Sequence, residues 1–294
     1  MKNKLSNLGS LSLDKSFKNI TTLRVGGKIK YFFEPFNIKC LVDAIKIIKE
    51  ANLPIKIIGN GSNILSSDKE FDGVVIKLTN LNHYEINDEE LYAEAGSNLI
   101  TVANFAINNG LKGLEFAVGI PALLGGSIFM NAGAYNQKIS DVISEVLVYK
   151  DNHLQWLAKD QLEFSYRQSI FQKNTHWIII AATFKLIEAD VDSLKKTSVM
   201  RNQKRWNSQP LKYPNCGSVF KNLDNLPAWK LIDQLGLRAH SIGGARFSEK
   251  HSNFIINFND ASALDVYKLI KLAQKKALEK EAKSLILEVE QFNW

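Results

Sequence analysis

The decapeptide YPNCGSVFKN, residues 213–222, gathers a thiol (Cys216), a hydroxyl (Ser218), an ammonium (Lys221) and a carboxamide (Asn222) around one glycine. A cysteine nucleophile needs a base or an electropositive site to hold it as thiolate, and no histidine lies near in sequence, so Cys216 reads as a buried structural thiol. Ser218 lacks the G-x-S-x-G frame of a hydrolase nucleophile; its hydroxyl would still be able to donate a proton to a substrate that it faced. Lys221 and Asn222 suit phosphate or sugar. Arg167, in LEFSYRQSIF, has the planar fork that grips a carboxylate or phosphate with two parallel hydrogen bonds, although a surface turn would hold an arginine equally well. In IGGARFSEKHSNFIIN (242–257) a Gly-Gly turn precedes Arg246, Ser248, Glu249, Lys250, His251 and Asn253, a polar loop ahead of an apolar strand.

Two glycine-dense stretches point to a ligand of another kind. IIGNGSNIL (57–65) is a strand running into Gly59, Asn60, Gly61, Ser62 and Asn63. Such a turn aims several N–H groups at one anion, or is simply a tight turn. It is neither a P-loop nor a dinucleotide-binding GxGxxG. FAVGIPALLGGSIFMNAGAYN (116–136) has glycines at 119, 125, 126 and 133, and its Asn131-Ala132-Gly133-Ala134 run is small enough for backbone amides to reach a ring edge. The pair fits a large ligand with a pyrophosphate in the middle and a flat ring at one end; close helix packing is the alternative reading.

The elements that must position these residues alternate unevenly. IKCLVDAIKIIKEAN (38–52) places Leu41, Val42, Ile45 and Ile48 on one helical face, and LITVANFAINNG (99–110) predicts a helix stopped by Gly110. Strands are expected at 55–58, 73–78, 91–96, 144–151, 153–158, 176–188 and 253–258, with a last one over SLILEVEQF (284–292). Helices are expected over 190–206, 226–236 and 267–283, the last with Leu269, Leu272, Ala273 and Leu278 at roughly helical spacing. The uneven crossovers favour an α+β fold with mixed sheets over a doubly wound parallel one.

At 294 residues the chain is long enough for one large domain or for two to three smaller ones. No apolar run approaches the ~20 residues of a membrane span, and the first residues lack the apolar core of a signal peptide; a cytoplasmic protein with no membrane insertion is expected. Two distant cysteines predict neither a disulfide framework nor a zinc site, and no metal is expected. The net charge of +7 suits an anionic partner. Its lysines are spread out, however, so nucleic acid is not expected.

Taken together, TLRVGG, GNGSN, GIPALLGGSIFMNAGAYN, SYR, PNCGSVFKN and IGGARFSEKHSNFIIN resemble, in order and over nearly the whole chain, the UDP-N-acetylenolpyruvoylglucosamine reductase family, in its shorter subtype. The resemblance implies a two-lobed FAD-binding fold of the vanillyl-alcohol-oxidase type over 20–190 (lobes 20–80 and 81–190) and an α+β substrate domain over 195–282. Residues 283–294 would then return as a final strand to the active site. It further implies that NADPH reduces FAD, that hydride then passes to the enolpyruvyl group of a UDP-sugar, and that the protein is a monomer. By residue, it implies that Arg167 and Glu290 stabilise the enolate-like charge and Ser218 delivers the proton. Gly59, Asn60, Gly61, Ser62, Asn63, Gly119, Ile120, Pro121, Gly125, Gly126, Ser127, Asn131, Ala132 and Gly133 would face FAD. Tyr166, Lys221, Asn222, His251 and Asn253 would face the substrate. Glu288, two residues before Glu290 on the expected strand, shares its face and is the reserve carboxylate. Three positions depart from the family pattern: Ala122-Leu123 where Gly-Ser is usual, Leu223 where proline is usual, and Trp229 where a small residue is usual.

Overall fold

The computed structural model describes residues Met1–Trp294, and the chain divides into two compact units that interleave in sequence. Met1–Ser12, Tyr31–Asn60 and Gly73–Lys204 form the first; Leu13–Lys30, Gly61–Asp72 and Arg205–Trp294 form the second.

The first unit holds two larger sheets beside two two-stranded ones. In one, the strands run in the order Gly9–Ser12, Ile29–Pro35, Phe71–Lys77, Ile55–Ile58. Its last pair is parallel, Ile55 opposite Val74, so the chain must cross over between them; the GNGSN turn begins that crossover. The helix Ile38–Glu50 starts where the Asn37 side chain accepts from the Cys40 amide at 2.9 Å, and it buries Leu41, Ala44, Ile45 and Ile48, a stripe of i, i+3, i+4, i+7. The other sheet is antiparallel, in the order His153–Ala158, Ile143–Lys150, Ile178–Lys185, Glu90–Glu94, Tyr84–Asn87. Its middle strand is buried from Ile178 through Phe184, which is why that stretch reads as an unbroken apolar run rather than an alternation. The helix Leu99–Asn108, capped by the Asn98 side chain, packs its apolar face into the same core.

In the second unit the strand order is Asn215–Ser218, Phe254–Asn257, Ala245–Phe247, Ser241–Ile242, and the helices Ala228–Gln234 and Ala263–Glu281 bury apolar residues in its core. The expected stripe on the long helix needs correcting. Val266, Leu269, Ile270, Ala273 and Ala277 are buried, whereas Leu278 is 63% exposed; nine residues beyond Leu269 is two and a half turns, hence the opposite face.

The expected last strand is also shorter than the sequence suggests. Only Glu290–Phe292 is a regular strand, parallel to Ile64–Ser66. Before it, Phe220 and Leu287 form an isolated bridge, and the amides of Glu288 and Val289 both donate to the Val219 carbonyl, at 2.9 and 3.3 Å. That shared acceptor breaks the two-residue alternation, so Glu288 and Glu290 are not placed on one face by regular pleating.

Candidate active site

In the first unit the two glycine-dense stretches meet. A Cβ built on Gly59 would lie 3.7 Å from the Leu123 Cβ and 3.8 Å from the Gly126 Cα and N, and the Asn60 carboxamide donates to the Pro121 carbonyl at 2.8 Å. Adjacent glycines then divide their labour. Gly125 turns towards the sheet: its N–H donates to the Ala95 carbonyl at 2.8 Å, and an added Cβ would come within 3.0 Å of the Ala95 Cβ. A Cβ on Gly126 would meet nothing within 4 Å. A backbone face with open space beside Gly59 fits the phosphate chain and ring of a dinucleotide-type cofactor; Gly59 and Gly126 offer that face. Gly119, Ile120 and Pro121 precede that stretch in a tight turn, the Ile120 N–H donating to the Ala117 carbonyl.

Other residues of the long stretch build the frame instead. The Ser127 hydroxyl turns back to the Leu123 carbonyl at 3.0 Å. Asn131 is buried, accepting from the Ser140 amide at 3.0 Å and donating to the Ser165 carbonyl at 2.9 Å. Ala132 donates to the Ser127 carbonyl, and Gly133 sits in a small hairpin where a Cβ would strike the Gln137 carbonyl. Ala122-Leu123 is accommodated because Leu123 is extended (φ −85°, ψ 152°) and needs no glycine.

Arg167 lies in a tight turn closed by Ser165 and Gln168, with a left-handed backbone (φ 56°). One guanidinium nitrogen donates to the Gly133 carbonyl at 2.8 Å and another to the Asn131 carbonyl at 3.4 Å. At least two of its five N–H donors thus fasten it to the 131–133 loop. The neighbouring Tyr166 is half exposed, its ring 5.4 Å from the guanidinium carbon.

In the second unit Ser218 stands at a bulge. Asn215 pairs with Ile256 and Ser218 with Phe254, so three steps on one strand match two on the other. Gly217 absorbs the extra residue with φ 77°, its N–H held by the Asn215 side chain at 3.0 Å. Here glycine is required. Asn215 is held in turn by the Thr22 hydroxyl, which donates to its carbonyl at 2.6 Å. Cys216 is fully buried and its thiol is pushed up to about 12 by that burial, which excludes a thiolate near neutral pH.

Beyond Ser218, Asn253 secures the chain from one side. It is buried, its Oδ1 accepts from the Phe220 amide at 3.0 Å, its Nδ2 donates to the Phe220 carbonyl at 2.8 Å, and its own carbonyl takes the Val219 amide at 2.8 Å. The Lys221 N–H donates to the Ile286 carbonyl on the other side. Asn222 accepts from the Ala228 amide at 3.1 Å, fixing the start of the helix that follows. Leu223 and Leu226 exchange backbone hydrogen bonds; a proline at 223 would lose one of them.

The GNGSN turn finishes in this unit. Gly61 is left-handed (φ 62°) and packs on Ile20 and Thr21, and Ser62 is half-buried beside it. The Asn63 carboxamide donates to the Glu288 carbonyl at 2.9 Å, while its main-chain carbonyl accepts from the Glu290 amide at 3.0 Å. His251 packs edge-on against Phe254, centroids 4.8 Å apart, and its Nδ1 is buried without a partner. Burial, and secondarily Arg238, hold its pKa below the usual imidazole value, against the raising effects of its backbone hydrogen bond and Asp233.

Sequence reasoning did not single out Thr22 or Asn215. The signal was present in TTLRVGG and in the Asn two places before Gly217, but each acts through a backbone carbonyl or amide that no motif displays.

Residues 209–292 match the family model described as UDP-N-acetylenolpyruvoylglucosamine reductase, C-terminal domain, and residues 29–152 match an FAD binding domain. The UDP-N-acetylenolpyruvoylglucosamine reductase of Caldicellulosiruptor saccharolyticus is 44% identical over 94% of this chain and 90% of its own length. That of Clostridium botulinum is 41% identical over the same shares. The crystal structure of the Thermus caldophilus enzyme superposes with a TM-score of 0.83 at 30% identity, covering 97% of this chain and 99% of the other. A Phl p 4 glucose oxidase variant, at 14% identity and a TM-score of 0.50 over 65% of this chain, shares the fold of the flavin part. With both models in order and 44% identity across nearly its full length, the chain belongs to the UDP-N-acetylenolpyruvoylglucosamine reductase family.

Proposed function

We propose that this protein reduces UDP-N-acetylenolpyruvoylglucosamine to UDP-N-acetylmuramate with FAD and NADPH, a step of peptidoglycan precursor synthesis. The reading is carried by one observation: the family match spans the FAD-binding and substrate-side segments together. Bound FAD supplies a carrier that takes a hydride from NADPH and gives it to the substrate. Gly59 and Gly126 would lie against it, with Asn60, Asn131 and Ser127 holding the loops that shape its bed.

The chain's own residues then manage charge and protons. Once hydride has been added to the terminal carbon of the enolpyruvyl group, the electron pair of the double bond resides on the neighbouring carbon and its carboxylate. Arg167 lowers the energy of that anion by aiming a fixed positive charge at the carboxylate. Ser218 gives its hydroxyl proton to the carbon, so that one hydride and one proton complete the reduction; the oxygen regains a proton from solvent. A serine hydroxyl is a weak acid, and we assign to Lys221 the stabilisation of the alkoxide. Glu290 stabilises the same anion, as a protonated acid or by orienting a neighbour, with Glu288 the reserve. Lys221, Asn222 and Tyr166 would contact the UDP-sugar; Asn253 and His251 serve it through the strand that bears Ser218. We place the protein in the cytoplasm as a monomer.

The test is direct. Purified protein loaded with FAD should be bleached by NADPH without oxygen and regain its yellow colour on addition of the enolpyruvyl sugar nucleotide, with one UDP-N-acetylmuramate formed per flavin. Protein that binds no FAD, or reduced protein that ignores that substrate, would refute the reading.

A further inference from the structure

Glu290 opens a strand of only three residues, paired in parallel with the three of Ile64–Ser66 and with no other strand. A ribbon so small is not stable by itself, and a slip of one residue would turn Glu290 to the opposite face. The residues that follow supply the missing hold. The Phe292 ring meets Phe71 edge-on at 5.0 Å and Phe17 at 5.5 Å, and its carbonyl accepts from the Ser67 amide at 3.0 Å. Asn293 then adopts a left-handed backbone (φ 59°) and donates its carboxamide to the Lys69 carbonyl at 3.2 Å and that of Glu70 at 3.4 Å, while the Ser67 hydroxyl donates to its carbonyl. Trp294 donates its indole N–H to the Leu65 carbonyl at 3.2 Å, opposite Gln291 in the register, and stacks on Tyr267 with centroids 4.5 Å apart and planes 25° apart.

We propose that Asn293 and Trp294 are a latch that sets the register of Glu290, and so are positioning residues for the proton-delivery half of the reaction; this rests on the role given to Glu290 above. The latch grips the partner strand at its middle, through Leu65, and the chain that follows it, through Lys69 and Glu70. It also ties the strand to a helix that a slipped register would leave behind. Neither residue is placed against substrate or cofactor.

The experiment uses the FAD-loaded full chain and follows the two half-reactions separately by stopped flow. Trp294→Ala should slow reoxidation by the enolpyruvyl sugar nucleotide ~10- to 100-fold, the scale of a misplaced catalytic group, with kcat falling more than KM rises and flavin reduction by NADPH retained. Trp294→Phe, which keeps the stack on Tyr267, should recover most of the rate. Asn293→Gly, which keeps the left-handed turn but loses the carboxamide, should show the Trp294→Ala pattern more weakly. The double variant Glu290→Gln/Trp294→Ala should be no slower than Glu290→Gln alone, since the latch acts only through that carboxylate. Additive losses, equal loss in both halves, or full-speed reoxidation in Trp294→Ala beside a slow Glu290→Gln would overturn the latch alone. Wild-type reoxidation in Glu290→Gln would overturn the reading of Glu290 and the latch with it.

Discussion

Arg167 and Ser218 are held in place by opposite means. The guanidinium is anchored by its own side-chain donors, to the carbonyls of Asn131 and Gly133, on a backbone in the left-handed region. The hydroxyl is set by the path of the backbone that bears it: a bulge at Gly217, a strand partner at Phe254, and the Asn253 carboxamide clasping Phe220. For the arginine, chemistry and architecture share the same atoms. For the serine they are separate, so its hydroxyl is removable without disturbing the frame.

Ser218→Ala is therefore the cleaner and larger lesion. Reoxidation by substrate should fall by ~10²–10⁴, the range for loss of a positioned proton donor, while FAD affinity, melting temperature and NADPH reduction stay near wild type. Matching losses in both half-reactions would show that the serine is structural and collapse the contrast. Arg167→Lys should cost less in reoxidation, on the order of 10²-fold, because a point charge remains. It should also weaken FAD binding, because one ammonium cannot span both carbonyls of the 131–133 loop. An Arg167→Lys protein with wild-type FAD affinity would mean that the two carbonyl contacts do no anchoring.

A second pair, on adjacent residues, sharpens the same lesson. Gly125→Ala pushes a methyl to 3.0 Å from the Ala95 Cβ and 3.3 Å from its carbonyl, and overpacking of that kind costs ~1–3 kcal/mol, read as a lower melting temperature with or without FAD. Gly126→Ala enters open space on a helix, where alanine gains ~0.5–1 kcal/mol over glycine. The apo protein should hold or gain stability, and FAD should bind more weakly, on the order of tenfold. If flavin titrations give equal affinity, Gly126 does not face the cofactor.

How much of this was written in the sequence follows the same divide. The helices over 38–50 and 99–108 and the buried strand 178–185 announce themselves because apolar periodicity reports burial directly. The site blocks were legible as residue types, and the adjacency of Gly59 and Gly126 was anticipated from two glycine-dense loops sharing one ligand. What stayed hidden was the direction of each polar side chain. Asn253, Asn131 and Ser127 bond backbone groups through their side chains, and Asn222 does so through its Oδ1, contacts that a string of letters does not display. Buried backbone amides demand partners wherever the chain leaves regular structure, and asparagine beside a loop satisfies that demand as readily as it satisfies a sugar. The short last strand was overestimated for a related reason: alternation in ILEVEQF marks half-burial, which irregular pairing around Val219 also produces.

His251 gives the smallest effect and separates its two readings by sign. Its Nδ1 is buried without a partner, and burial, aided by Arg238, lowers its pKa; its backbone hydrogen bond and Asp233, whose Oδ1 is also unpartnered, oppose the shift without reversing it. The unfolded chain, with an imidazole near its ordinary value of ~6.5, then binds more protons than the folded one as the solution turns acidic. Stability contributed by the neutral ring is fully present above that value and is lost as pH falls through it towards the lowered folded value. His251→Phe keeps an aromatic ring beside Phe254 and forfeits no hydrogen bond at the Nδ1 position. It should therefore flatten the fall in melting temperature between pH 7.5 and 5.5, by on the order of 1 °C, and leave the substrate KM unchanged. A raised KM with an unaltered pH profile would return His251 to the substrate, and the serine's strand would lose one of its purely architectural supports.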